Sequence, residues 1–161
     1  MKLEKKTLLT VGSAAAVMSA CICQGVKQIR KYKKEEEKYY SYFLLLTIWV
    51  KARAEGNCLE EYFRKRGIKN IGIYGMAELG QTLYKELTNS DINVLYGIDQ
   101  NPGALVFHDF PVYSMADEIP EADLIVVTPF VYFHDIYREL KKKVNIPVVS
   151  LREIVYGIYQ E

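Results

Sequence analysis

The sequence predicts an α/β protein in which a doubly wound parallel sheet of about five strands occupies residues 67–161. An N-terminal tail with a transmembrane helix (1–26) and a helical stalk (27–66) precede it. Three observations carry this reading. Beyond Lys69, short apolar runs alternate with helical patterns, which is the signature of a parallel sheet covered by helices. Between Lys6 and Lys27 lie twenty uncharged residues. From Lys27 to about Ala54 there is neither Pro nor Gly to interrupt a helix.

The uncharged stretch, TLLTVGSAAAVMSACICQGV at 7–26, has the length that spans a hydrocarbon core of about 30 Å. Lys2, Lys5 and Lys6 precede it, and Lys27, Arg30, Lys31, Lys33 and Lys34 follow it closely. The positive-inside rule then places the C-terminal part in the cytoplasm, at the end of a single-pass anchor in the cell membrane. Val17-Met18-Ser19-Ala20-Cys21 allows the alternative of a lipoprotein signal, with Cys21 lipidated and the rest outside the cytoplasm.

In the stalk, Glu35, Glu36 and Glu37 stand among lysines at i±3 and i±4 spacing, as expected of a solvated charged face. The twelve uncharged residues Tyr39–Val50 (YYSYFLLLTIWV) are short for a second span. They suit a helix buried against the following domain better than an interfacial belt of Trp49 and tyrosines, and they are a candidate surface for a protein partner or self-association. Gly56 and Asn57 end this helix, and LEEYFRKR at 59–66 reads as a short amphipathic helix closing at Gly67.

The strands follow in order: NIGIY (70–74), NVLYGI (93–98), Pro111-Val112-Tyr113, LIVVT (124–128) and IPVVS (146–150). The fourth is almost wholly apolar, as in strands buried on both faces. Helical patterns at 76–87 and 131–144 separate them, and Ser150-Leu151-Arg152-Glu153 has the spacing of a capping box that opens a last helix. Right-handed crossovers make 3-2-1-4-5 the leading strand order, with a ligand crevice at the carboxyl ends of strands one and four, where the winding reverses.

Composition excludes several functions. Half of the residues are hydrophobic and 25% charged, which is globular and not disordered. The net charge of +1 divides into 14 basic and 7 acidic side chains over 1–66 and 7 basic and 13 acidic over 67–161. The head is therefore acidic, which argues against nucleic acid as a partner. Cys21, Cys23 and Cys58, with His108 and His134, supply neither a disulfide framework nor a zinc ligand set.

The first strand runs into Gly75-Met76-Ala77-Glu78-Leu79-Gly80, a G-x-A-x-x-G form of the dinucleotide fingerprint. Gly75 permits the tight turn, a small residue at 77 lets a phosphate approach the backbone, and Gly80 allows close helix–strand packing. Free N–H groups at the helix start face an anion. Asp99, at the end of strand two, stands where a carboxylate accepts hydrogen bonds from a ribose and repels a 2′-phosphate. Thr128 and Pro129 are expected to form the opposite wall. The same residues also have plain structural readings, Gly75 and Gly80 for the turn and Asp99 for the Asp-Gln-Asn-Pro turn that it starts.

Ile73–Gly80 together with Gly97-Ile98-Asp99-Gln100-Asn101-Pro102 and Phe110-Pro111-Val112 resemble the Rossmann-like domain that precedes the catalytic part of membrane-bound nucleotide-sugar dehydratases and epimerases of bacterial polysaccharide synthesis. The resemblance covers residues 68–155, and 39–66 more loosely. It implies a nucleotide, nucleotide-sugar or CoA-like ligand on Gly75, Ala77, Gly80 and Asp99, with Ala77 a departure from glycine. The function expected is a membrane-anchored, accessory or regulatory module that binds NAD or a nucleotide sugar in cell-envelope polysaccharide metabolism. A non-enzymatic scaffold with an empty crevice is the alternative, and a reductase or epimerase fragment comes third.

No complete catalytic set is visible. Tyr137 and Lys141 have the Tyr-x-x-x-Lys spacing of short-chain dehydrogenases, but on the helix after strand four, where amphipathic spacing explains them. His134 and Asp135 have no partnered nucleophile, and Cys58 has no activating base.

Overall fold

The computed structural model describes the backbone of residues 2–104 and 109–160, and the side chains from position 18 onward except Ala20 and Ala104. Two compact units emerge, residues 1–43 and 44–161. The first is helical throughout its described length and belongs to α1 (Lys2–Ala54). The expected span at 7–26 falls mostly on side chains outside the described residues. Among the described residues no helix is long and apolar enough to cross a membrane.

The second unit begins inside what the sequence reading treats as stalk. Leu45, Trp49 and Ala52 of α1 are buried, as are Leu59, Tyr62 and Phe63 of α2 (Leu59–Lys65), so 44–66 packs into the second unit. Trp49 is therefore packed as expected, whereas Tyr39 and Tyr40 are exposed. Both helices end where a glycine can turn left-handed. Gly56 has φ +92°, with its N–H on the Arg53 carbonyl at 3.1 Å and that of Asn57 on the Ala52 carbonyl at 2.9 Å. Gly67, at φ +67°, repeats the paired closure on the carbonyls of Arg64 and Phe63. These are Schellman closures that satisfy the last carbonyls of each helix.

The sheet has five parallel strands in the order β3-β2-β1-β4-β5, the predicted 3-2-1-4-5. The strands are β1 (Asn70–Tyr74), β2 (Asn93–Ile98), β3 (Val112–Tyr113), β4 (Leu124–Val127) and β5 (Val148–Ser150). Three helices follow strands: α3 (Glu78–Leu87) after β1, α4 (Phe133–Leu140) after β4 and α5 (Leu151–Tyr159) after β5. Because the chain winds one way from β1 to β2 and the other way from β4 to β5, right-handed crossovers put α3 and α4 on opposite faces. The α4 face carries Tyr74, Tyr96, Ile98, Ile125 and Val127, packed with Leu140 and Ile146. Ile71, Ile73 and Val126 alternate to the other face and are fully buried.

Local departures from the sequence reading have local causes. α3 starts two residues later than expected, because Met76 and Ala77 form the turn. The helix expected at 131–144 is a single 3₁₀ turn, Phe130–Tyr132, followed by α4 ending at Leu140, because the N–H groups of Lys142 and Lys143 close on carbonyls three residues back, Glu139 and Leu140, as a tightening turn. Ser150 caps α5 through the Arg152 N–H at 3.2 Å. The end of α1 is tied to α3 by Glu86. That carboxylate accepts the Trp49 indole N–H at 2.5 Å and the Leu59 N–H at 3.0 Å, and Arg53 lies 3.8 Å away.

Candidate functional site

The crevice falls where the winding reverses, beyond the ends of β1 and β4. A cleft of about 560 Å³ opens there, within the range of small-molecule sites. One side is the β1 end and its turn, Tyr74, Gly75 and Ala77. The loop after β2 contributes Asp99, Gln100 and Asn101. Pro129, Tyr132, Asp135, Ile136 and Glu139 close it from the β4 side.

The turn needs glycine at two places. Gly75 has φ +88°, and a Cβ there would lie 2.6 Å from Pro129 Cδ and 2.8 Å from Thr128 Oγ1. A Cβ on Gly80 would lie 2.2 Å from the Gly75 carbonyl oxygen, so α3 rests directly on the turn. Ala77 is exposed, serves as the N-cap of α3 and lines the cleft. The first-turn N–H groups of Glu78, Leu79 and Gly80 have no carbonyl within the helix to accept them. Gln81 donates its N–H to the Ala77 carbonyl at 3.0 Å, the first closure of the helix.

Four of the predicted site residues line the cleft: Gly75, Ala77, Asp99 and Pro129. Five do not. Met76 is fully buried and turns under β2, where a Cβ on Gly97 would be 2.7 Å from its Cγ. Glu78 is exposed outside the cleft, Leu79 is half-buried and Gly80 is covered by the turn. Thr128, expected as a wall, is buried; its hydroxyl donates to the Gly75 carbonyl at 2.6 Å and lies 3.2 Å from that of Tyr74. It fastens β4 to the turn, because a buried hydroxyl at a strand end must find an acceptor.

Asp99 starts the turn of its structural reading. Oδ2 accepts the Met76 N–H at 2.9 Å and Oδ1 accepts the Asn101 N–H at 3.0 Å. The carboxylate therefore clasps the β1 turn to the β2 loop, and each oxygen keeps a lone pair for a further donor. Near it, burial is the largest cause raising the Tyr74 phenol above its ordinary value; the hydrogen bond with Gln100 opposes this, and the charges of Glu139 and Asp99 add to the rise.

The sequence reading missed Tyr74, Gln100, Asn101, Tyr132, Ile136 and Glu139, and placed Asp135 only on a polar helix face. For Tyr132, Asp135, Ile136 and Glu139 the signal was their spacing, which puts one side of a helix toward the β4 end. Tyr137 stacks at a tilt on Phe133, 5.7 Å between ring centres, and Lys141 donates to the Ile146 carbonyl at 2.9 Å. The Tyr-x-x-x-Lys pair thus serves packing at the helix end. Asp135 is paired with Arg138 on the surface, and His134 is exposed. Among the described residues no group of three or more His, Cys, Asp or Glu is arranged to hold a metal ion.

The class that fold and site define is an α/β protein with a 3-2-1-4-5 parallel sheet and a cleft at its switch point. Comparison with family models, curated proteins and solved structures found no match for the chain.

Proposed function

We propose that the head is a Rossmann-like module that binds a nucleotide-type ligand, NAD or a nucleoside-diphosphate sugar, and that it works as an accessory or regulatory component without catalytic residues of its own. The observation that carries this reading is the cleft at the β1/β4 switch point, with the Gly75 turn and the start of α3 on one side and Asp99 on the other. Phosphate oxygens are assigned to the N–H groups at the start of α3, and ribose hydroxyls to the remaining lone pairs of Asp99. Among the described residues lining the cleft there is no Lys or Arg, so backbone N–H groups and the helix dipole supply the attraction for an anion. Asp99, Asp135 and Glu139 disfavour an added 2′-phosphate, which selects NAD over NADP. The anchor at 7–26, the cytoplasmic placement of the head and a role in cell-envelope polysaccharide metabolism belong to the same proposal and rest on the sequence.

A second reading is favoured by one specific observation. The Met76 N–H already donates to Asp99, which is the place of an inner anion, and this suits a scaffold that keeps the fold and leaves the crevice empty. Titration calorimetry of the full chain with NAD, UDP-glucose and CoA separates the two. Binding by one of them, weakened about tenfold or more by Ala77→Asp, supports the ligand reading, because the new carboxylate caps α3 well and repels phosphate. No heat with any of the three, or binding indifferent to Ala77→Asp, would overturn it in favour of the scaffold.

A further inference from the structure

We infer that α1 pairs with the α1 helix of a second copy of this chain through a coiled-coil seam. The inference is independent of what the cleft binds. In the first unit, positions 18, 22, 25, 29, 32, 36, 39 and 43 advance in alternating steps of four and three. They carry Met18, Ile22, Ile29, Tyr32, Tyr39 and Phe43, interrupted by Gly25 and Glu36. The six large side chains are 62–68% exposed. Between 27 and 38 the positions farthest from this stripe all hold charge: Lys27, Arg30, Lys31, Lys34, Glu37 and Lys38.

A repeat of 3.5 residues on a helix of 3.6 residues per turn drifts around the axis unless a partner helix wraps with it, so a repeat kept this long is matched to another long helix. The other helices of the chain have seven to ten residues, far short of the stripe. A second α1 has both the length and the same spacing. Exposed aromatic and aliphatic side chains of this size present roughly 100 Å² each. The six together, of which Met18 and Ile22 fall inside the proposed anchor, reach roughly 600 Å² per chain, the low end of one side of a stable interface, which accords with a reversible dimer. Glu36 is the one carboxylate in the seam, and a polar residue at a seam position costs stability.

The test is sedimentation equilibrium of the full chain in non-ionic detergent solution. The expected result is a reversible dimer that Ile29→Glu with Tyr39→Glu converts to monomer and that Glu36→Leu tightens about tenfold. Arg30→Glu with Lys34→Glu, on the far side, leaves the dimer intact. Trp49 fluorescence and the thermal unfolding of residues 44–161 report that every variant keeps a folded head. A monomeric wild-type chain at tens of micromolar would overturn the inference, as would a dimer that survives the seam pair or one lost equally with the far-side pair.

Discussion

Replacing Gly80 by alanine tests how firmly α3 sits on the β1 turn. The added methyl would meet the Gly75 carbonyl oxygen at 2.2 Å and its carbon at 3.1 Å. Both are backbone atoms, so no side-chain rotation relieves the contact. An ordinary carbon–oxygen approach requires about 1 Å more, and the helix must lift or the turn must deform by that amount. Overpacking of this kind costs about 1–3 kcal/mol. Alanine recovers at most about 1 kcal/mol through its better helix propensity and lower unfolded-state entropy. The net expectation is a loss of about 1–2 kcal/mol. For a unit of this size that lowers Tm by about 4–8 °C, read by thermal or urea denaturation followed through Trp49, the only tryptophan. The strain has a specific route, because the same Gly75 carbonyl accepts the Thr128 hydroxyl at 2.6 Å. Gly80→Ala and Thr128→Val are therefore coupled, by at least about 0.5 kcal/mol in a double-mutant cycle. Gly103→Ala is the control, since a Cβ there meets nothing within 4 Å, and it should be neutral or stabilising. If Gly80→Ala proved as harmless as Gly103→Ala, the close seating of α3 on the turn would be refuted, and with it the geometry assigned to the site.

Three further outcomes follow from groups outside the cleft. Glu86→Ala removes the acceptor of the Trp49 indole N–H and the Leu59 N–H. It should cost about 2–3 kcal/mol and shift Trp49 emission, whereas an unchanged urea midpoint would contradict the tie between the end of α1 and α3. Burial raises the Tyr96 phenol to about 12, and its hydroxyl is buried without a partner. A raised pKa contributes stability that is fully present below the unfolded value near 10 and is lost as pH rises from there through 12. Tyr96→Phe should thus be neutral or slightly stabilising at neutral pH and should flatten the alkaline loss; a large destabilisation would reveal a partner for the hydroxyl. The Lys69 and Asn70 N–H groups hold the Asp123 carboxyl below its ordinary value. A depressed pKa contributes stability that is present above the unfolded value and lost as pH falls through the folded one. Asp123→Asn should therefore reduce the acid sensitivity of the midpoint below about pH 4, and an identical acid limb in both proteins would count against it.

The order of the sheet and the outline of the site were legible before any coordinates, for local physical reasons. Short apolar runs such as NIGIY and LIVVT can bury both faces only between helices, and right-handed crossovers leave few ways to order them. Gly75 and Gly80 announced a tight turn and a close helix because no other residue tolerates those contacts. What sequence could not distinguish was direction. Thr128 and Pro129 are neighbours, yet one hydroxyl turns inward to a carbonyl while the adjacent ring lines the cleft. Met76 lies inside the fingerprint, yet fills the space that Gly97 leaves beneath β2. Asp99 follows the end of β2 as expected, but only the fold showed its carboxylate already engaged by the Met76 and Asn101 N–H groups.

By itself the sequence determined the alternation of strands and helices, their order, the glycines of the turn, and the split between a basic N-terminal part and an acidic head. Each is set by local backbone preference or by the count of apolar and charged residues. The tertiary structure alone decided that α2 packs on α3 and α5, that one side of α4 closes the cleft, and which fingerprint residues face it. Those outcomes depend on contacts between segments far apart in the chain, where a carboxylate such as Glu86 finds Trp49 thirty-seven residues away, and no local pattern specifies such a pairing.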